Sequence, residues 1–246
     1  MASHYTRRSG HHWQNGHPNG GKLSASPSLL EDSGSLPQSP PSMLMRSPLA
    51  RERRRPAGFI KPCQPTLSDK APSGPQWLHE IKHDGYRIIA CKNGDRVRLW
   101  SRNGRDWSKE FLAVADALRT LTADDIVLDG EAMAHCEDGL PDFHGLRSED
   151  GGAGACLLAF DLLRLNGEDL RALPLEERRA RLRKALSASG KALRFSEHLE
   201  GDGPEIFRHA CALGLEGIVS KRRDARYRSG RSLAWLKIKN PAYERF

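Results

Sequence analysis

Turn dipeptides cut this chain into short runs: Asp84-Gly85, Asn103-Gly104 and Asn166-Gly167 each interrupt stretches rich in apolar and β-branched residues. Asp-Gly and Asn-Gly favour tight reversals, so the flanking runs read as strands that turn back on their neighbours. Trp77-Leu78 and Ile88-Ile89 flank the first dipeptide and predict a tight hairpin. Residues 96–101 alternate as a strand, and residues 126–134 form another. Residues 156–163 are apolar enough to be central in a sheet. Residues 217–220 and 233–239 complete the strands. Helical spacing connects Phe111, Val114, Ala115, Leu118 and Leu121, with Ser108 as the expected cap. Pro174 opens a second helix carrying Leu175, Leu182 and Leu186 on one stripe. A third starts near Pro204, with Ile206, Ala210 and Leu213 inward and Gly214 as its stop. No regular βαβ period or internal repeat appears. The expected fold is α+β, with mixed, largely antiparallel sheets and flanking helices over residues 61–246.

Residues 1–60 differ in kind. They are rich in Ser, Pro, Gly, His and Asn and hold too few apolar residues to offset chain entropy, so a disordered tail is expected. The net charge is +8, and eight Lys/Arg against three Asp/Glu place +5 of it in residues 1–60, leaving +3 for residues 61–246. A basic cluster, Arg51-Glu52-Arg53-Arg54-Arg55, ends the tail. Basic charge suits phosphate contacts on nucleic acid, and a solvated linker suits the same cluster. Met43 or Met45 is an alternative start. Cys63, Cys91, Cys136, Cys156 and Cys211 are scattered, without a Cys-x-x-Cys pair, which argues against a zinc site or a disulfide framework. With no long apolar run and no secretory signal, a reducing cytoplasm is the expected setting and no membrane partner is expected.

The chemistry concentrates in a few segments. In Glu80-Ile81-Lys82, an extended backbone turns Glu80 and Lys82 to one face and Ile81 to the other. A lysine beside a carboxylate, with Arg87 five residues on, suits a nucleophilic amine facing a phosphate; ordinary surface charge on a hairpin is the plainer alternative. Asp129-Gly130-Glu131 presents two carboxylates on one face, with a glycine that permits close approach. Glu216 opens an apolar strand that Lys221 closes. Lys237 and Lys239 share a face opposite Leu236 and Ile238, either as anion ligands or as a wet strand edge guarding against aggregation. Phe160 beside Asp161 reads by default as core.

Taken in order, Lys-x-Asp-Gly-x-Arg (Lys82 to Arg87), Ser-Arg-Asn-Gly (Ser101 to Gly104), Asp-Gly-Glu, Phe-Asp, Glu-Gly-Ile-Val-Ser-Lys and Trp-Leu-Lys-Ile-Lys resemble the ATP-dependent DNA ligase family. The likeness runs from Trp77 to Lys239 and is closest to the ligase module of bacterial end-joining ligases. It implies a nucleotidyltransferase (adenylation) domain that works in three steps. Lys82 attacks the α-phosphorus of ATP and becomes a lysine–AMP. The AMP passes to a DNA 5′-phosphate. A 3′-hydroxyl then displaces it and seals the strand. The amine must be neutral to attack, and Mg2+ (or Mn2+) with Lys237 and Lys239 would favour that and offset phosphate charge.

The resemblance also implies residue roles. Glu80 lies near the adenine and Phe160 stacks on it. Arg87 and Arg102 contact ribose or phosphate. Glu131 holds a ribose hydroxyl or a metal-bound water, and Glu216 is a second metal-side carboxylate. Arg231 contacts the nucleotide, and Lys237 and Lys239 hold phosphates. Asp84 orders the turn. Nicked or broken double-stranded DNA is the implied partner, with DNA-end-binding proteins beside it and a nucleoid-associated location. The family follows its last lysine segment with an oligonucleotide-binding (OB-fold) β-barrel, whereas residues 240–246 alone follow it here. A minimal adenylation domain, a piece of a longer ligase, and half of a split ligase with a separate OB-fold chain all remain open. So do two other functions: an RNA ligase or capping-type nucleotidyltransferase, and a non-catalytic DNA end-binding accessory.

Overall fold

The computed structural model describes residues 58–133 and 154–244. Of the tail expected to be disordered over residues 1–60, residues 1–57, with the arginine cluster at 51–55, lie outside them, as do Ala134 and Cys136, whereas Phe59 and Ile60 are described and pack against a core. In chain order the elements are β1 (Cys63–Leu67), β2 (Trp77–Ile81), β3 (Tyr86–Asn93), β4 (Arg96–Ser101), α1 (Leu112–Arg119), β5 (Asp125–Met133), β6 (Cys156–Leu165), β7 (Glu168–Asp169), α2 (Leu175–Ala185), β8 (Leu193–Phe195), α3 (Gly203–Ala212), β9 (Gly217–Arg222) and β10 (Gly230–Lys239). Two sheets result. One runs β1-β10-β9-β2; the other runs β4-β3-β5-β6-β7, with β8 added alongside β6. Pairings are antiparallel except β1 with β10 and β6 with β8. The α+β reading therefore stands. Among the described residues no helix is long and apolar enough to cross a membrane.

The central strands of the larger sheet are apolar on both faces, as their sequences require. From β3, Ile88 and Ala90 join a core with Val114, Ala115 and Leu118 of α1. Ile89, between them, faces the other way with Leu78, Val127, Phe160, Leu163 and Trp235. The second core thus draws on strands of both sheets.

The first turn dipeptide does not make a hairpin. β2 pairs with β9, and β3 pairs with β4 and β5, so the chain from Glu80 to Arg87 crosses from one sheet to the other. Gly85 is not in the left-handed region. It is required because a Cβ there would lie 2.3 Å from the Ala132 carbonyl oxygen of β5. The glycine that reads as a turn residue in fact allows close packing on the neighbouring strand. Asn166 (φ 47) and Gly167 (φ 86) do form the tight turn expected of them, joining β6 to β7.

Smaller departures have equally local causes. Ser108 does not cap α1, whose N-cap position is Phe111. Its Oγ accepts from the Leu99 N–H at 2.9 Å and donates to Asp106 at 2.5 Å, tying the loop to β4. Leu213 is 76% exposed rather than inward, since it lies past the last turn of α3, where Gly214 (φ 70) reverses the chain. β10 sits between β1 and β9, so Lys237 and Lys239 are on an interior strand and the edge-guard reading fails.

Candidate active site

A cleft of about 750 Å³ opens between the sheets, and the crossing segment after β2 forms part of its wall. Lys82, Glu80, Arg87, Arg102, Glu131, Phe160, Glu216, Arg231, Lys237 and Lys239 all line it. Residues up to 159 apart in sequence therefore meet, because the crossing carries the chain from the smaller sheet to the larger.

Lys82 directly follows β2. Its backbone N–H donates to the Gly217 carbonyl at 2.9 Å, which fixes its stem beside the start of β9. Its ammonium is ion-paired with Glu216, whose side chain is 4% exposed. The second Glu216 oxygen, Oε1, is buried without a hydrogen-bond partner, and Lys239 Nζ lies 3.7 Å from it. Nearby, burial raises the half-buried Glu131 carboxyl to about 7; Arg87 and Lys82 pull it down, and Asp129 and Glu216 push it up. Lys237 is lowered by burial and then by four cations, Lys239, Lys82, Arg102 and Arg231. Arg102 has a 3.2 Å hydrogen bond to Gln64 Oε1, and Arg231 is exposed at the rim. Cations packed this closely repel one another, and an anion of several charges is what they would best accommodate.

The inner end of the cleft is more tightly built. Glu80 is 3% exposed and lies between two buried cations: Arg179 donates to its Oε1 at 2.6 Å and Lys221 to its Oε2 at 2.6 Å. Lys221 Nζ also stands 4.1 Å from the Phe160 ring centre and 4.2 Å from that of Trp235. Arg87 Cζ lies 4.3 Å from the Phe160 ring centre. The Arg87 fork is held by Asp129 at 2.5 and 2.8 Å and by the Cys63 carbonyl at 3.2 Å. Asp129 is fully buried and accepts a further 2.6 Å bond from the Tyr227 hydroxyl.

Three side chains behind the cleft escape a sequence reading altogether, Arg178, Arg179 and Tyr227, whereas Asp129 and Trp235 stand in segments singled out there without a role of their own. Arg178 and Arg179 were findable. They fall at helical spacing between Leu175 and Leu182, and a charged residue on a buried stripe must have a buried partner. Arg178 pairs with Asp161, both fully buried, at 2.7 and 2.8 Å.

The Glu131 carboxyl gives a pH signature. Its folded value near 7 lies above the ordinary 4.5. The folded state therefore holds that proton more tightly than the unfolded chain does, and the associated stability is present below about 4.5 and lost as pH rises through 7. Compared with Glu131→Gln, the wild type should lose thermal stability between pH 5 and 8. Melting curves that stay parallel across that window would refute this assignment.

Among the described residues no cluster of three or more His, Cys, Asp and Glu side chains could cage a metal. Glu131 and the unpartnered Oε1 of Glu216 nonetheless fit a hard cation that keeps most of its water and leans on substrate phosphates.

A family model described as ATP dependent DNA ligase domain matches residues 63–239. The chain is 41% identical over 185 residues to the multifunctional non-homologous end joining protein LigD of Pseudomonas aeruginosa, covering 74% of this chain and 22% of that protein. It is 34% identical over 203 residues to a probable DNA ligase of Sorangium cellulosum, covering 74% of this chain and 38% of the relative. Among solved structures, it is similar to a mycobacterial DNA ligase D complexed with ATP and MES, at 35% identity and a TM-score of 0.64, covering 73% of this chain and 60% of that one. The ligase domain of M. tuberculosis LigD gives 34% and 0.63, with coverage of 73% and 60%. The chain thus spans well under half the length of these curated relatives. Since that family model spans residues 63–239, which hold every strand of the two sheets, this chain belongs to the ATP-dependent DNA ligase domain family.

Proposed function

We propose that this chain is the adenylation domain of an ATP-dependent DNA ligase, acting on nicked or broken double-stranded DNA in end-joining repair. The observation that carries the reading is Lys82 paired with Glu216 in a cleft that Lys237, Lys239, Arg102 and Arg231 also line. An amine at the focus of a cationic cleft is placed to attack a polyphosphate.

In the proposed step, the Lys82 ammonium first leaves Glu216 and sheds a proton. Its nitrogen lone pair then forms a bond to the α-phosphorus. The bond from that phosphorus to the bridging oxygen breaks, and pyrophosphate leaves. Loss of a second proton leaves the nitrogen neutral in the phosphoramidate, whose phosphoryl group keeps one negative charge. Lys237, Lys239 and Arg231 offset the charge on the phosphates, and Arg102 sits where ribose or phosphate would meet the rim. Glu131 and Glu216 would hold Mg2+ or Mn2+, which supplies further positive charge at the phosphates. Glu80 and Phe160 receive the adenine, and Arg87, already committed to Asp129, keeps the Phe160 wall in place and reaches the nucleotide with its remaining nitrogen. The DNA 5′-phosphate next attacks the AMP phosphorus and releases Lys82. A 3′-hydroxyl finally displaces AMP and closes the strand. A cytoplasmic, nucleoid-associated setting suits this substrate, and DNA-end-binding proteins or a separate OB-fold chain are the partners it would use.

The test is a pulse–chase. The full chain is incubated with Mg2+ or Mn2+ and α-labelled ATP, then given unlabelled nicked DNA. Label on the protein that moves to DNA is expected. A parallel arm with labelled GTP addresses capping chemistry, and an RNA nick addresses an RNA ligase. A chain that binds nicked DNA and is never labelled by ATP would overturn the reading in favour of an accessory.

A further inference from the structure

Arg179 of α2 does not line the cleft, yet it holds two residues that do. Its Nη1 donates to Glu80 Oε1 at 2.6 Å and to the Phe160 carbonyl at 3.0 Å. Its Nη2 donates to the Ser196 carbonyl at 2.7 Å and lies 3.2 Å from His198 Nδ1. The Phe195 ring centre sits 4.7 Å from its guanidinium carbon. The side chain is 3% exposed. A planar fork bound this way has one orientation, and it transfers that orientation to the Glu80 carboxylate and to the backbone beneath the Phe160 ring.

We propose that Arg179 is the positioning residue for base choice in the cleft. This rests on the reading that Glu80 and Phe160 receive the base. Adenine carries an amino donor at position 6, where guanine carries a carbonyl acceptor. A carboxylate locked in place accepts from the first and repels the second, and a site that fixes its acceptor rejects the wrong base more sharply than one whose acceptor swings. Lys221 alone cannot supply the lock. It is a single point charge on the other oxygen, so the carboxylate can rotate about that contact.

The neighbouring arginine gives an internal control. Arg178 is fully buried and as heavily bonded, to Asp161, the Leu173 carbonyl and the Ala225 carbonyl, none of which lines the cleft. A role confined to stability predicts the same outcome for both arginines. A positioning role predicts different ones.

The experiment measures equilibrium binding of ATP and of GTP to the full chain by titration calorimetry, with circular dichroism melts, for wild type, Arg179→Met, Arg179→Lys and Arg178→Met. Wild type should prefer ATP. Arg179→Met should narrow that preference by about tenfold or more, mainly through weaker ATP binding. Arg179→Lys, which keeps the buried charge and loses the fork, should narrow it as well, by less. Arg178→Met should alter the melting temperature and leave the preference within about twofold. A folded Arg179→Met with an unchanged preference would overturn the proposal, as would equal narrowing in Arg178→Met. If Arg179→Met does not fold, Arg179→Lys decides alone, and an unchanged preference there overturns it. The ligase reading fails separately: a chain that binds ATP over GTP but never carries label at Lys82 ends that reading and leaves the assignment of Arg179 intact.

Discussion

Lys82→Ala should abolish covalent labelling by α-labelled ATP, an expected loss on the order of 10³-fold or more, in a chain that stays folded. The size of the effect follows from chemistry. Among the described residues no other amine shares the position of Lys82: Lys221 is 2% exposed and committed to Glu80, and Lys237 and Lys239 project from a different strand. The fold should survive because Lys82 lies at the cleft wall outside the apolar cores and its side chain is 19% exposed. Truncation does leave Glu216 buried with Lys239 at 3.7 Å, so a modest drop in melting temperature accompanies the loss. Lys82→Arg separates charge from nucleophilicity. A guanidinium stays protonated and pairs with Glu216, but it cannot attack phosphorus. ATP binding by Lys82→Arg close to that of wild type, with no label, is the expected pattern. Label persisting on Lys82→Arg would show that another residue is the nucleophile.

Asp161→Ala costs roughly 3–5 kcal/mol of stability, the largest structural effect expected of a single change here. Asp161 and Arg178 are both fully buried and joined by two hydrogen bonds of 2.7 and 2.8 Å. Removing the carboxylate strands a guanidinium in the interior, with two carbonyls as its remaining partners. For a chain of this size the melting temperature should fall by on the order of 10 °C or more. The pair itself need not be stabilising, because desolvation offsets much of its attraction. Asp161→Leu with Arg178→Met should therefore recover most of the loss. Urea unfolding of both single variants and the double variant measures the coupling. A single-variant cost below about 1 kcal/mol would show that water reaches the arginine.

What could be read from the sequence, and what could not, separates along physical lines. The strands of the larger sheet were legible because Ile88, Ile126 and Leu157 sit in β-branched and aliphatic runs bounded by turns. The cleft residues were legible as a set because their order along the chain matches a family, even though their spacing does not reveal that they meet. The hairpin at Asp84-Gly85 was misread because a glycine chosen for contact and a glycine chosen for a turn look alike in one dimension. The edge reading of Lys237 and Lys239 could be rejected only through the partners on both sides of β10, and strand pairing is non-local. Arg178 and Arg179 stand on the Leu175–Leu182 stripe, which marks them as buried, but only the folded chain shows that Asp161 and Glu80 lie opposite them.

The order of strands in the smaller sheet bears on when the site can exist during synthesis. β1 and β2 do not pair with each other; one adds to β10 and the other to β9. Apart from a two-bond bridge between His79 and Leu199, both early strands must wait for residues 217–239 before they have a strand to pair with. The larger sheet, closed by local pairings among β3, β4, β5 and β6, can assemble sooner. Lys82 meets Glu216 only when the later sheet closes. A nascent chain that lacks residues 217–239 therefore holds Lys82 without its Glu216 partner, and the proposed nucleophile is set in place only when β9 arrives.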